Sequence, residues 1–281
     1  MRKKLFHNTK TVLLSLVLLV FLIPVWNVLA GSFMSDSELT GHTGALLSAG
    51  EGVYADWSFL PLQPSGWSYL RLLLDTPEYF VTFWNSVLVT AISVVAQAVV
   101  AVLAAWGIGV YRFPYRKHLL GLYVFLMMLP FQVLMLPQYF IMKNLHIYDT
   151  FWALIIPEIF SPYAVFLLVQ NFKTLQQEVM ESARIDGAGE WTILFRIGLP
   201  HAKAGIITVM LLGFVECWGM IEQSGAFIED KGKMLVSEYL PHIDISQPGF
   251  ALAASALALI PCVLLVLICS DYMEKGLEIR Q

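Results

Sequence analysis

Charged residues are scarce in this chain: 14% of its 281 residues are Asp, Glu, Lys or Arg, whereas 58% are apolar. A soluble domain of this length has no use for so much apolar surface, so a polytopic membrane protein is the expected class. Cysteine is nearly absent as well. Cys217, Cys262 and Cys269 fall in apolar runs, where they act as small hydrophobes, and they give neither a disulfide framework nor a metal spacing. There is no G-x-x-x-x-G-K-[ST] phosphate loop, so ATP has no such seat here, and neither H-E-x-x-H nor G-x-S-x-G occurs. His7, His42, His118, His146, His201 and His242 are scattered through loops and termini without metal-ligand spacing. Lys231-Gly232-Lys233 is too short for a nucleic-acid patch. These absences leave no catalytic residue, no metal site and no nucleic-acid partner to expect.

Long apolar runs are what the chain has instead. The first, Thr11 to Ala30, follows Arg2, Lys3, Lys4 and Lys10. At about 20 residues it is too long for a signal-peptide core and long enough to cross about 30 Å of hydrocarbon, so it reads as an uncleaved first helix. Further runs are Phe80–Val110, Leu119–Ile141 (with Pro130 and Pro137), Phe151–Val169 (with Pro157 and Pro162), Ala204–Glu222 (interrupted by Glu216) and Phe250–Ser270. Between the first two lies a polar, acidic segment, Ser35 to Glu78, rich in Gly, Pro and Trp, which reads as an external loop. Its Tyr54, Trp57 and Trp67 are candidates for contact with an external protein or the membrane surface.

Basic residues orient these runs. With the amino terminus inside, 13 of the 17 Lys and Arg residues fall on internal segments, and only Arg71, Lys143, Lys231 and Lys233 fall outside. That asymmetry predicts six spans with both termini cytoplasmic. The organisation expected is a first helix and external loop over 1–79, a membrane core over 80–270 with a cytoplasmic loop at 174–203, and a tail over 271–281. Carboxylates inside spans are costly, about 3 kcal/mol each on insertion scales, so Glu158, Glu216 and Glu222 stand out. Glu158, Glu216 and Glu222 are candidates for lining a polar path, and Asn85, Gln132 and Trp218 are further candidates for it. The alternative for Glu158 and Glu222 is a helix end at the water interface, and for Trp218 a place in the aromatic belt.

The segment Glu181 to Pro200, ESARIDGAGEWTILFRIGLP, is the most informative. Thr174 and Gln177 stand at capping-box spacing for a helix start. Asp186-Gly187 predicts a turn, and a second short helix presents Trp191, Ile193, Leu194 and Ile197 before ending at Pro200. A helix-turn-helix outside the lipid needs a partner to cover its apolar side.

This segment resembles the EAA loop of ABC importer permeases. Glu181-Ser182-Ala183, three residues, Gly187, nine residues and Ile197-Gly198-Leu199-Pro200 agree with that pattern, and Arg184 to Ala188 resembles the carbohydrate (maltose-type) subgroup. Weaker similarity runs from about Phe80 to Gly276, through Asn85-Ser86-Val87, Tyr111-Arg112-Phe113-Pro114, the Pro130–Pro137 stretch and Phe151–Pro157. Departures are Ser182 for the second Ala of the triplet, Ala204 where many relatives have Pro, and Gly219 where Asn is common.

The resemblance implies an all-α, six-span permease of the type I importer fold in a bacterial plasma membrane. It further implies a second permease, two ATPase subunits that bind ATP and Mg, and an extracellular or periplasmic sugar-binding protein, with no cofactor in this chain. Glu181, Ser182, Ala183, Asp186, Gly187, Ala188, Ile197, Leu199 and Pro200 would then couple the spans to the ATPase. Glu158 and Glu216 leave open an ion-gradient-driven secondary transporter; a membrane enzyme lacks any catalytic cluster.

Overall fold

The computed structural model describes residues 2–47, 58–244 and 246–277. Tyr54, Trp57 and Arg280 lie outside these. Every regular element among the described residues is helical, apart from one isolated bridge between Met34 and Pro64. In chain order the α-helices are α1 (Arg2–Gly31), α2 (Asp36–Leu47), α3 (Trp67–Leu74), α4 (Pro77–Val110), α5 (Arg116–Met127), α6 (Phe131–Asn144) and α7 (Phe151–Ile159). They continue as α8 (Pro162–Lys173), α9 (Gln177–Ile185), α10 (Glu190–Ile193), α11 (Leu199–Trp218), α12 (Glu222–Phe227), α13 (Val236–Tyr239) and α14 (Pro248–Leu277).

Among the described residues, five helical stretches are long and apolar enough to span a bilayer: Lys10–Gly31, Pro77–Val110, Phe151–Lys173, Glu190–Trp218 and Pro248–Ser270. The pair α5 and α6, bent by 99°, supplies a sixth if counted as one span. The bend falls at Pro130, which takes an extended conformation (φ −69°, ψ 148°) at the start of α6. Pro162 similarly opens α8 after the break that ends α7, because proline ends one helix and suits the first turn of the next.

Three expectations are corrected. The segment 35–78 is not simply a loop, since it carries α2 and α3. Asp36 and Glu38 in the first turn of α2 favour its positive end, and the Glu38 carboxylate accepts the backbone amides of Leu62 and Gln63 at 2.9 and 3.0 Å. The fifth span begins near Glu190 rather than Ala204 and stops at Trp218, so Glu222 lies outside it, in α12. Finally, Thr174 and Gln177 form no capping box. The α9 cap residue is Gln176, without a side-chain bond, and the Thr174 hydroxyl donates to Asn171 O at 2.7 Å.

The chain divides into two compact units. In the unit made of 1–80 and 240–260, the Tyr79 hydroxyl donates to Ala254 O at 3.0 Å, and Ser32 and Tyr69 hydroxyls pair at 2.7 Å. The other unit, 81–239 and 261–281, is built on helices that meet at glycines. A Cβ on Gly198 would lie 2.6 Å from the Trp106 ring, one on Gly205 2.6 Å from the Asn171 amide, and one on Gly213 2.3 Å from Gln97 Oε1. Small residues of this kind let membrane helices approach closely where no hydrophobic force drives them together. One core cluster gathers Trp106, Phe172, Met180, Ile193 and Leu194; another gathers Val89, Leu154, Cys217, Phe227 and Leu235.

Outside the spans, Asp149 holds the stretch before α7 to that before α13. Its carboxylate accepts the amides of Glu229 and Asp230, each at 3.0 Å, and pairs with Lys233 at 3.2 Å. The Asp230 and Glu229 amides, then Lys233, hold its pKa below the usual carboxylate value. A depressed pKa adds stability above the ordinary carboxylate range and loses it as pH falls through the lowered value. Asp149→Asn tolerates the same positive φ of 56°. The difference in melting temperature between wild type and this variant should therefore be largest near neutrality and close on acidification; a gap independent of pH would contradict this. Gly198→Val should overpack against Trp106 and cost about 1–3 kcal/mol, read as a lower melting temperature in detergent that Trp106→Leu partly restores.

Candidate functional site

The segment from α9 to the start of α11 is the best-defined feature outside the spans. α9 closes with the Ala188 amide donating to Ala183 O at 2.9 Å and the Gly187 amide to Arg184 O at 3.0 Å. These paired bonds need a residue with positive φ between them, and Gly187 supplies it at φ 84°. Gly189 then caps α10 in an extended conformation.

The second helix does not end at Pro200. A π turn, Leu194–Gly198, joins α10 to α11, and the Leu199 amide reaches back five residues to Leu194 O. Pro200 lacks an amide hydrogen and its ring crowds the carbonyl four residues earlier, at Arg196. The wider turn just before it accommodates both defects. Pro200 thus sits in the first turn of α11 and is exposed.

The segment has two faces. Met180, Ile193 and Leu194 are buried, and Ala183, Ala188, Ile197 and Leu199 pack against the same cluster. Glu181, Ser182, Asp186 and Gly187 are exposed. Ser182 therefore does not serve packing within the chain, whereas Ala183 does. Beside them the exposed face carries Ile185, 87% accessible, and Trp191, 65% accessible and stacked on Phe195 at 6.2 Å. Ile185 was not among the expected coupling residues, although an isoleucine placed before a turn on a polar helix is a legible signal. A charged clamp bridges the turn. Arg184 Nε donates to Glu190 Oε1 at 2.8 Å, and the Tyr111 hydroxyl donates to the other oxygen of Glu190.

The expected pathway residues do not share one set of contacts. Asn85 Nδ2 donates to Gly232 O and Met234 O at 2.9 and 3.2 Å, fixing the chain before α13. Gln132 Nε2 donates to Glu222 Oε2 at 2.7 Å. Glu158 is half-buried, with Cys217 Sγ 4.0 Å from its Oε2. Glu216 is exposed in the last turn of α11. Trp218 is buried, stacked on Phe214 at 5.5 Å and edge-on to Phe83 at 5.6 Å, so two aromatic side chains pack against its ring. A further polar set was missed. Ser86, Thr90, Ser93 and Gln97 are all buried on one face of α4; Ser86 Oγ accepts the Val236 amide at 2.8 Å. Thr90 Oγ1 and Gln97 Oε1 find no hydrogen-bond partner among the described residues. The three- and four-residue spacing of these polar positions in an apolar span was the available signal.

A multi-span helical protein with a structured helix pair between two spans is thus defined, and comparison with known proteins names its family. Residues 97–280 match the family described as "Binding-protein-dependent transport system inner membrane component", to which this chain belongs. It is 27% identical to the arabinooligosaccharides transport system permease protein AraQ of Halalkalibacterium halodurans over 277 residues, covering 96% of this chain and 94% of that one. It is 30% identical to the sn-glycerol-3-phosphate transport system permease protein UgpE of Brucella abortus over 200 residues, 69% of this chain and 71% of that one. A bacterial ABC transporter that imports alginate contains a chain of the same fold, with TM-score 0.81, 20% identity and 96% of each chain covered. The chain is an ABC permease subunit, and ATP hydrolysis belongs to a separate subunit.

The Arg184–Glu190 pair is exposed, so it contributes only about 0.2–1 kcal/mol to folding. A double-mutant cycle of Arg184→Ala and Glu190→Ala on thermal unfolding should return a coupling in that range, and one of several kcal/mol would show that the clamp supports the fold.

Proposed function

We propose that this chain forms half of the pathway of an ATP-driven importer for a sugar or oligosaccharide. The observation that carries the reading is the exposed face of the α9–α10 pair. Its inner face is locked into the core through Met180, Ile193 and Leu194, while Ile185 and Trp191 remain uncovered beside Glu181 and Asp186. A rigid, two-faced element of this kind can carry motion from a partner into α11, with which it is continuous. The partner is the ATPase, in two copies, holding ATP and Mg. Glu181 and Asp186 accept charge-assisted hydrogen bonds there, Ser182 keeps the docking face low, and Gly187 sets the turn. Ala183, Ala188, Ile197 and Leu199 hold the pair on the spans, and Pro200 directs entry into α11.

A second permease completes the pathway. α1 supports this reading, because its large apolar side chains from Val12 to Trp26 are exposed. The basic-residue asymmetry supports cytoplasmic termini and a cytoplasmic α9–α10 pair. An external sugar-binding protein delivers the substrate, as the family's description as binding-protein-dependent and the relatives' transport of arabinooligosaccharides and alginate favour. Glu158, Glu216 and Gln132 remain the pathway candidates, while the bonds of Asn85 and the packing of Trp218 favour structural roles for those two.

Affinity purification in mild detergent should retain an ATPase and a second permease with the wild-type chain. Gly187→Asp places a second carboxylate beside Asp186 on the exposed docking face, at a backbone position with φ 84°. It should leave the chain inserted but lower ATPase retention and transport by at least about tenfold, the equivalent of about 1.4 kcal/mol. Gly187→Asn, of the same size and backbone tolerance but without the charge, should do less harm. A chain that purifies alone would overturn the reading, as would normal transport by Gly187→Asp.

A further inference from the structure

Where α4 ends, α5 begins and α8 ends, four cations face one cavity of about 430 Å³: Arg112, Arg116, Lys117 and Lys173. No carboxylate lines it. Gln177 of α9 is also in the wall, and its amide is bound on both sides, accepting from Arg112 Nη2 at 2.9 Å and donating to Glu181 at 2.9 Å. Arg116 spends one donor on Gly109 O at 2.7 Å, tying the start of α5 to the last turn of α4. Lys117 and Lys173 have no salt bridge among the described residues. The rest of the wall is apolar, with Leu120, Phe172 and Met180 beneath the charges. The close approach that shapes it depends on Gly109, where a Cβ would lie 2.8 Å from Phe172 Cβ.

Four like charges converging on one hollow repel each other, and an arrangement of this kind is relieved by a bound anion. Guanidinium and ammonium groups together match phosphate oxygens. The spans on either side stop here, at Val110 and Lys173, so the cavity lies at the membrane boundary. Its apolar floor and cationic rim suit an amphiphile.

We infer that this cavity binds a phosphate-bearing anion, with an anionic phospholipid headgroup as the source its position and apolar floor favour. The anion's oxygens are held by Lys117, Lys173 and the free donors of Arg112 and Arg116. Bound there, it joins α4, α5 and α8 at a wall that α9 shares through Gln177 and Met180. The binding itself does not depend on the sugar-import reading.

The test uses the full-length permease in its purified assembly. Native mass spectrometry after exchange into phosphatidylglycerol-containing nanodiscs should find phosphatidylglycerol retained on the wild type. Lys117→Gln with Lys173→Gln should weaken retention about 30-fold, taking about 1 kcal/mol per cation near a membrane surface. Each variant is checked for unchanged assembly, and Lys143→Gln, outside the cavity, serves as the charge control and should retain lipid normally. A parallel arm adds inorganic phosphate to assemblies in phosphatidylcholine alone and reads the melting temperature. A rise that the two lysine substitutions abolish, without retained lipid, would keep the anion site and make its ligand soluble. Equal retention by wild type and the double variant, with no phosphate-dependent shift, would overturn it. Because retention is read without transport, loss of the lipid site and loss of the importer reading produce different results.

Discussion

The permease core depends on bare glycine backbone in one helix lying against side chains of its neighbours. Gly198, Gly205 and Gly213 along α11 and its leading π turn lie against Trp106, Asn171 and Gln97 at distances that admit no Cβ. In a bilayer, water does not drive helices together, so dispersion across a tight seam supplies what burial supplies in soluble proteins. Once that seam is closed, α11 has a fixed line against α4 and α8. Everything that leads into α11, including the α9–α10 pair, inherits the same position.

The α9–α10 pair is therefore more than a loop. The positive φ at Gly187 reverses the chain, the paired amide bonds close α9, and the π turn feeds the second arm into α11 without a break in the helix. A force on Ile185 or Trp191 meets a buried base of Met180, Ile193 and Leu194 rather than a hinge. Such a base is what a lever between two subunits needs, and a solvated surface loop would dissipate the motion.

Much of this was legible in the residues. Apolar run length marked the spans, and Asp186-Gly187 marked the turn because few residues other than glycine reach that backbone region. The resemblance over Glu181–Pro200 led to the family. What stayed hidden was tertiary. Pro200 reads as a stop, yet a π turn lets the helix pass through it. Asp36 to Leu47 is too polar and glycine-bearing to announce a helix, and it is supported by the remote amides that Glu38 binds. Asn85 and Trp218 are pathway candidates by type, and the bonds of Asn85 to the chain before α13 and the aromatic neighbours of Trp218 only exist once α4 and α11 are assembled. The buried polar face of α4, from Ser86 to Gln97, was overlooked because mean hydropathy averages four polar positions away.

The most direct test of a rigid coupling element places a photo-crosslinking amino acid at Ile185 in membrane vesicles that hold the assembled transporter. Ile185 is the most accessible large apolar residue of the pair. Irradiation should yield one dominant adduct, with the ATPase subunit, and its yield should change when ATP is added. Adducts with lipid alone, or none with an ATPase, would contradict the assignment of this face as the point where hydrolysis is coupled to the spans.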